Sequence, residues 1–331
     1  MVKFCKVAVV LLAVVATACA GKVSVKSPKT TYAPREYKFP QKYIDINGVK
    51  LSYVESGSGS ETLLFVHGVG GSLNNWDYNL EYFSARFHVL ALDLPGHGNS
   101  EKPNLPYSVK LHADFIYQFL KAKNVNKVTL IGHSMGGQAA IILQLKHPEM
   151  VKKLVLVAPS GADVYLTSGL NWIGSRSYVR RGVMTGSTIS GAPYKGFEKA
   201  MWAYLKRDGK SGYPTALVYD AESYPTKEFL QGEIKYYYGL MNSDEFPSFV
   251  KAIGKSRISI PVQFVREDLH TVDAPTLIVW GKQDGVVPFE NACLFNDLML
   301  VSMMAIFPEC GHMPMLEKPD RFNRVVLEFV K

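Results

Sequence analysis

Val128-Thr129-Leu130-Ile131-Gly132-His133-Ser134-Met135-Gly136-Gly137-Gln138-Ala139-Ala140-Ile141-Ile142-Leu143 is the stretch on which the reading of this chain turns. Its first four residues are a short apolar run, the form taken by a strand covered on both faces. From Met135 to Lys146 the pattern is helical, so Gly132-His133-Ser134-Met135-Gly136 falls on a strand-to-helix turn. The pattern G-x-S-x-G is weak by itself. Between a strand and a helix it has a physical meaning, because a serine on a strained turn has its hydroxyl pushed into the open. The flanking glycines let strand and helix approach closely. The helix N-terminus then presents free N–H groups and the positive end of a dipole to any negative charge that develops there.

Outward from that turn, similar apolar runs lie at Thr62 to Val66, Val89 to Leu92, Leu154 to Val157 and Thr276 to Trp280. Helical patterns run from Tyr107 to Lys123 and from Asp320 to Val330. Gln41 to Ile46 and Val49 to Glu55 alternate apolar and polar residues around Asn47-Gly48, a strong hairpin signal. The alternation predicts an α/β fold, an open and mostly parallel sheet with helices on both sides, built from 41–159 and 271–331. Between these parts, 160–270 breaks the rhythm with Trp172, Trp202 and Tyr236-Tyr237-Tyr238 among glycines and prolines. It reads as a mainly helical insertion at the carboxyl edge of the strands, where open α/β sheets bind ligands. An irregular excursion without function is the plain alternative.

Three more segments carry chemistry. His67-Gly68-Val69-Gly70-Gly71-Ser72 leaves a predicted strand and can aim the Val69 N–H at a substrate oxygen; the Met135 N–H is the natural second donor. No Lys-Ser/Thr follows, so this is not a phosphate loop. His67 reads as a loop-organising residue rather than a catalyst. Val279-Trp280-Gly281-Lys282-Gln283-Asp284-Gly285 brings Asp284 to a strand end, with Asp163 as the rival acid. Glu309-Cys310-Gly311-His312-Met313-Pro314-Met315-Leu316-Glu317 brings His312 to the loop before the last helix. A lone loop histidine is usually unremarkable, but here serine, aspartate and histidine follow one another in that order, each at a predicted strand end.

Together with Leu92-Asp93-Leu94-Pro95-Gly96-His97-Gly98-Asn99-Ser100, these segments make the chain resemble the α/β-hydrolase superfamily from about Tyr43 to Val330. The resemblance implies an α/β-hydrolase fold, a catalytic triad of Ser134, Asp284 and His312, and the insertion as a cap. Serine at the elbow argues against relatives that use a carboxylate nucleophile. Within the superfamily, Ser160-Gly161-Ala162-Asp163 opening the cap of an exported chain looks most like bacterial lipoprotein esterases and lipases related to monoacylglycerol lipases. The expected activity is hydrolysis of short- to medium-chain carboxylic esters through an acyl-enzyme, on a small apolar ester or lipid substrate. A C–C bond hydrolase of the meta-cleavage type and a cofactor-free haloperoxidase share the motifs. A binding protein that keeps the fold without turnover is the alternative outside enzymes. No metal or organic cofactor is expected, since the eight histidines are dispersed and show no H-E-x-x-H spacing.

The N-terminus reads as an export signal. Lys3 and Lys6 precede an apolar run from Val7 to Ala16, about half the roughly 20 residues that span a bilayer. Ala16-Thr17-Ala18 before Cys19 fits a cleavage site and resembles a lipoprotein box. The expectation is a signal peptide over 1–18, lipid attachment at Cys19 and an extended tether over 19–40, with plain secretion as the alternative. Such a protein would sit in the cell envelope, anchored to the membrane by its lipid. Of the four cysteines, Cys293 and Cys310 then remain, either as a disulfide pair or as two unrelated thiols. In 331 residues, 37 Lys and Arg against 29 Asp and Glu leave a diffuse net charge of +8. That excess is scattered, which suits solubility or an anionic membrane surface and not nucleic-acid recognition.

Overall fold

Asn47 and Gly48 both take positive φ, 55° and 76°, as a two-residue hairpin turn requires. They join β1 (Gln41–Ile46) to β2 (Val49–Ser56), with Ile46 paired to Val49. The hairpin forms one edge of the sheet in a computed structural model that describes residues 34–162, 193–205, 217–260 and 263–331. The other strands are β3 (Thr62–Val66), β4 (His88–Leu92), β5 (Val128–His133), β6 (Val151–Val157), β7 (Thr276–Gly281) and β8 (Ser302–Phe307). Among the described residues they form one sheet in the order β1-β2-β4-β3-β5-β6-β7-β8. β2 runs antiparallel to β1 and β4, and all later neighbours are parallel. This is an α/β-hydrolase fold.

Side chains in the central strands alternate between two buried layers. Leu64, Val66, Leu90, Leu92, Leu130, Leu154, Leu156, Ile278 and Trp280 enter one core. Their chain neighbours Leu63, Phe65, Val89, Ala91, Ile131, Val155, Val157, Leu277 and Val279 enter the other. A sheet that buries both faces needs apolar residues at every position, which is why these strands appear as unbroken apolar runs. The first layer is closed by α1 (Val109–Ala122) and α2 (Met135–Lys146), and by α6 (Glu290–Leu298) beside β7. α7 (Pro319–Val330) covers the second with Phe322, Val326, Leu327 and Val330. Ser108 caps α1 by accepting the Leu111 N–H at 3.1 Å, so that helix starts inside the range read from sequence.

The strand β8 was not anticipated. Its sequence, Ser302-Met303-Met304-Ala305-Ile306-Phe307, is led by residues that only weakly favour strands, and it lies at the sheet edge with Met303 and Met304 exposed. The described parts of the insertion are mainly helical: α3 (Tyr194–Leu205), α4 (Thr226–Met241), α5 (Phe246–Ser259) and a two-turn 3-10 stretch at Arg266–Thr271. Gln138, one turn into α2, ties both of its ends to the helix behind the serine. Its Nε2 donates to the carbonyls of Ile260 and Gln263 at 3.2 and 2.7 Å, and its Oε1 accepts from Ser160 Oγ at 2.9 Å.

Residues 34–40, the end of the stretch expected to be a free tether, pack against the fold. The side chain of Arg35 is only 7% exposed and forms an ion pair with Glu233 of α4. The guanidinium lies 3.7 Å from the ring centre of Tyr236. Tyr37 donates to Asp93 Oδ2 at 2.6 Å. The expected leader, Cys19 and Asp163 lie outside the described residues. Among the described residues no helix is long and apolar enough to cross a membrane.

Candidate active site

Ser134 stands between β5 and α2 with φ 53° and ψ −119°, a conformation that costs on the order of 1–3 kcal/mol for a residue with a side chain. The surroundings over-determine it. Its N–H donates to Val157 O at 2.9 Å, and its carbonyl accepts from Gln138 N and Ser160 N at 3.1 and 3.2 Å. Two glycines permit the turn: a Cβ on Gly132 would meet Gly136 O at 2.6 Å, and one on Gly136 would meet His67 O at 2.5 Å. Strand, helix and the loop after β3 therefore meet at backbone distance.

That loop passes directly against the serine. A Cβ on Gly68 would lie 2.9 Å from the Ser134 Cβ. Gly71 N–H donates to Gly68 O at 3.1 Å, which closes a tight turn with Val69 inside it. Met135 is the first residue of α2, so its N–H has no acceptor within the helix. His67 organises the turn as expected: its Nδ1 bonds Gly68 O at 2.7 Å and its Nε2 accepts the Leu94 N–H at 3.1 Å. Those contacts assign the proton to Nδ1. Burial, reinforced by His112 and Arg35, lowers the pKa of His67 to about 3, so the ring is neutral, and its one free lone pair is taken by the Leu94 N–H.

On the other side, Asp284 and His312 meet. His312 Nδ1 lies 2.7 Å from Asp284 Oδ2, with the carboxylate side chain fully buried and the imidazole 3% exposed. Asp284 Oδ1 accepts from the N–H groups of Val286 and Val287 at 2.8 and 2.9 Å, which fixes the carboxylate plane. His133, the residue before the serine, bonds His312 O through Nε2 at 2.9 Å, and the two rings lie 4.6 Å apart. His312 is thus fastened to the strand end that carries Ser134. Among the described residues no hydrogen bond joins the Ser134 hydroxyl to the His312 ring. In unliganded sites this contact is often long and tightens only with substrate.

Sequence reasoning missed Glu317. It accepts from Gly311 N at 2.9 Å, Met313 N at 3.3 Å and Tyr219 N at 2.6 Å, and so shapes the His312 loop from both sides. Burial raises its pKa to about 7 against those donors. Its place five residues after His312 in a quoted segment was the one available signal. Cys310 also points to Glu317, at 3.7 Å, and burial pushes its thiol up. Cys293 is exposed and both thiols are free, so of the two readings left open the disulfide is not formed. Among the described residues no group of His, Cys, Asp or Glu could hold a metal ion.

A family model described as alpha/beta hydrolase fold matches residues 61–319, which include Ser134, Asp284 and His312. The chain belongs to the α/β hydrolase fold family. Among relatives, this hydrolase is 28% identical over 299 residues to 2-hydroxy-6-oxo-6-(2'-aminophenyl)hexa-2,4-dienoic acid hydrolase of Metapseudomonas resinovorans, covering 89% of this chain and 92% of that one. Among solved structures, a lipase candidate from Acinetobacter baumannii aligns with TM-score 0.67 and 28% identity, over 88% of this chain and 90% of that one. A membrane phospholipase A described as a bacterial virulence factor aligns with TM-score 0.67 and 25% identity, over 88% and 85%.

Just after the turn Leu73–Trp76 lies a carboxylate whose burial works against the stability of this hydrolase. Asp77 is half-buried, its buried Oδ1 has no hydrogen-bond partner among the described residues, and burial, opposed by Arg35, raises its pKa to about 7. The folded state therefore binds the proton more tightly than the unfolded chain. The cost is absent at about pH 4, grows as pH rises, and is complete above about pH 7. Asp77→Asn should raise stability by up to about 3 kcal/mol at pH 8 and by little at pH 4. Urea unfolding at both pH values checks this; an equal effect at both contradicts it.

Proposed function

We propose that this hydrolase cleaves carboxylic esters of short to medium acyl chains, monoacylglycerol-like lipids among them, through an acyl-enzyme on Ser134. The observation that carries the reading is the buried Asp284–His312 bond beside a serine on a strained strand-to-helix turn. A free serine hydroxyl is a poor nucleophile near neutrality. In the proposed mechanism His312 Nε2 takes the hydroxyl proton as Ser134 Oγ attacks the ester carbonyl. Asp284 keeps the Nδ1–H tautomer and stabilises the imidazolium. The N–H groups of Val69 and Met135 receive the oxyanion, each worth roughly 3 kcal/mol of barrier. His312 then protonates the leaving alcohol, and water activated by the same ring releases the acid.

Two observations favour an apolar ester. Leu240, Phe249, Val250 and Ile253 of the insertion form a buried apolar cluster against which Val69 packs, so the insertion is apolar beside the proposed oxyanion donor. The likeness to a lipase candidate and a membrane phospholipase A points the same way. We read 160–270 as the cap over this site. The relative that hydrolyses a 2-hydroxy-6-oxo-dienoic acid supports a second reading, C–C bond hydrolysis by the same groups. A series of p-nitrophenyl esters, assayed beside a 2-hydroxy-6-oxo-hexa-2,4-dienoate, separates the two. Ester turnover with a short- to medium-chain optimum is expected; turnover of the dienoate alone would overturn the ester reading.

We also propose that Cys19 anchors the mature chain to a membrane by a lipid, which would keep the site near its substrate. Cys19→Ser should release the protein from the membrane fraction. Unchanged sedimentation with membranes would sink the anchor.

A further inference from the structure

The insertion grips the oxyanion-side loop at two points. Glu233 and Tyr237 lie one turn apart on α4 and so share a face. The Tyr237 hydroxyl donates to the carbonyl of Gly70 at 2.5 Å, and Gly70 has φ +76° in the turn that contains Val69. Glu233 Oε1 accepts from Asn74 Nδ2 at 2.8 Å, just beyond the same turn, and from Arg35 of the N-terminal segment. The Tyr237 ring is wedged between Tyr236 and Phe249, with centroids 5.1 and 6.1 Å away. Burial raises the Tyr237 pKa well above the ordinary phenol value, which keeps the hydroxyl a donor.

The consequence is geometric. Every other hydrogen bond described for this turn comes from the core: Gly71 N to Gly68 O, His67 to Gly68 O, and Ser72 N to Asn75 Oδ1 at 2.9 Å. The first two hold the Gly68–Val69 peptide, which carries the Val69 N–H, at its Gly68 carbonyl, and leave the Gly70 carbonyl on the far side of Val69 to Tyr237. An oxyanion donor works only when it is fixed before charge develops, since a free loop would pay the reorganisation at each turnover. A hydroxyl on the Gly70 carbonyl removes the freedom left to the turn on the far side of Val69. It reaches there only while α4 is seated, and the ion pair of Arg35 with Glu233 seats α4.

We propose that Tyr237 is a positioning residue for the oxyanion donor Val69, so that full activity requires α4 of the insertion to be docked on the loop after β3. The proposal rests on the reading of Ser134 as nucleophile and Val69 as oxyanion donor. It adds a substrate-dependent element, because an acyl chain packed against Phe249 of α5 would bear on the ring of Tyr237, 6.1 Å away, and so help to seat α4.

The test is Tyr237→Phe, which keeps the ring and deletes the hydroxyl, with Glu233→Gln as a second variant. Three quantities are measured: kcat and KM on a p-nitrophenyl ester, the melting temperature, and affinity for a trifluoromethyl ketone whose Ser134 hemiketal carries an oxyanion. We expect Tyr237→Phe to lower kcat about 10- to 100-fold, less than loss of a donor itself, with KM within about twofold. The ketone should weaken in parallel, and Glu233→Gln should show a smaller loss of the same kind. Unchanged kcat overturns the proposal. So does a lower kcat with undiminished ketone affinity, for then the hydroxyl serves substrate entry or folding alone. An inert wild type would instead overturn the ester reading beneath it.

Discussion

Ser134→Ala should lower kcat for ester hydrolysis by a factor on the order of 10⁵ and leave the fold in place. The loss follows from chemistry: without Oγ there is no covalent intermediate, and what survives is the contribution of the Val69 and Met135 donors and of substrate binding to direct attack by water. Retention of the fold follows from the contacts of residue 134. Its backbone N–H and C=O make the bonds to Val157, Gln138 and Ser160, and none of these involves the hydroxyl. The Cβ remains, so the Gly68 contact is preserved. Melting temperature and substrate binding should therefore stay near wild type. Steady-state kinetics and thermal unfolding on one preparation check this, and a residual kcat within tenfold of wild type would remove Ser134 from the mechanism.

Asp284→Asn should cost about 10³- to 10⁴-fold in kcat with little change in substrate affinity. The asparagine carbonyl can still accept from Val286 and Val287, so the turn survives. Its amide nitrogen then faces His312 Nδ1 and donates where the carboxylate accepted. The ring is forced into the Nε2–H tautomer, which has no lone pair for the Ser134 proton. In the proposed mechanism serine, histidine and aspartate act as a unit, so adding Asp284→Asn to Ser134→Ala should cost little more than Ser134→Ala alone. Pre-steady-state and steady-state rates on the single and double variants check both statements. Multiplicative losses would show that Asp284 works independently of the serine.

The legible parts of this molecule were those specified locally. Strands buried on both faces must be apolar throughout, so Leu63 to Val66 and Leu277 to Trp280 could be read directly. The strained turn at Ser134 needs glycines at fixed offsets, and Gly132 and Gly136 supply them. The pairing of Asp284 with His312, 28 residues apart, was legible only through the order serine, aspartate, histidine and the family resemblance it supports. What escaped was either weakly patterned or remote. β8 lies at an edge and lacks the alternation or full burial that marks a strand. The pairing of Arg35 with Glu233 joins positions 198 residues apart, and no local rule connects them. Glu317 acts by accepting backbone N–H groups, a role that leaves no mark on the residues it serves.

The most direct measurement is rapid quenching of the enzyme during turnover of a p-nitrophenyl ester, followed by peptide mass mapping of the protein. Near-stoichiometric acyl label on the peptide that contains Ser134, formed at the rate of the p-nitrophenolate burst, is the predicted result. Acylation at another residue, or turnover at the full rate through a Ser134→Ala protein that carries no label, would contradict it.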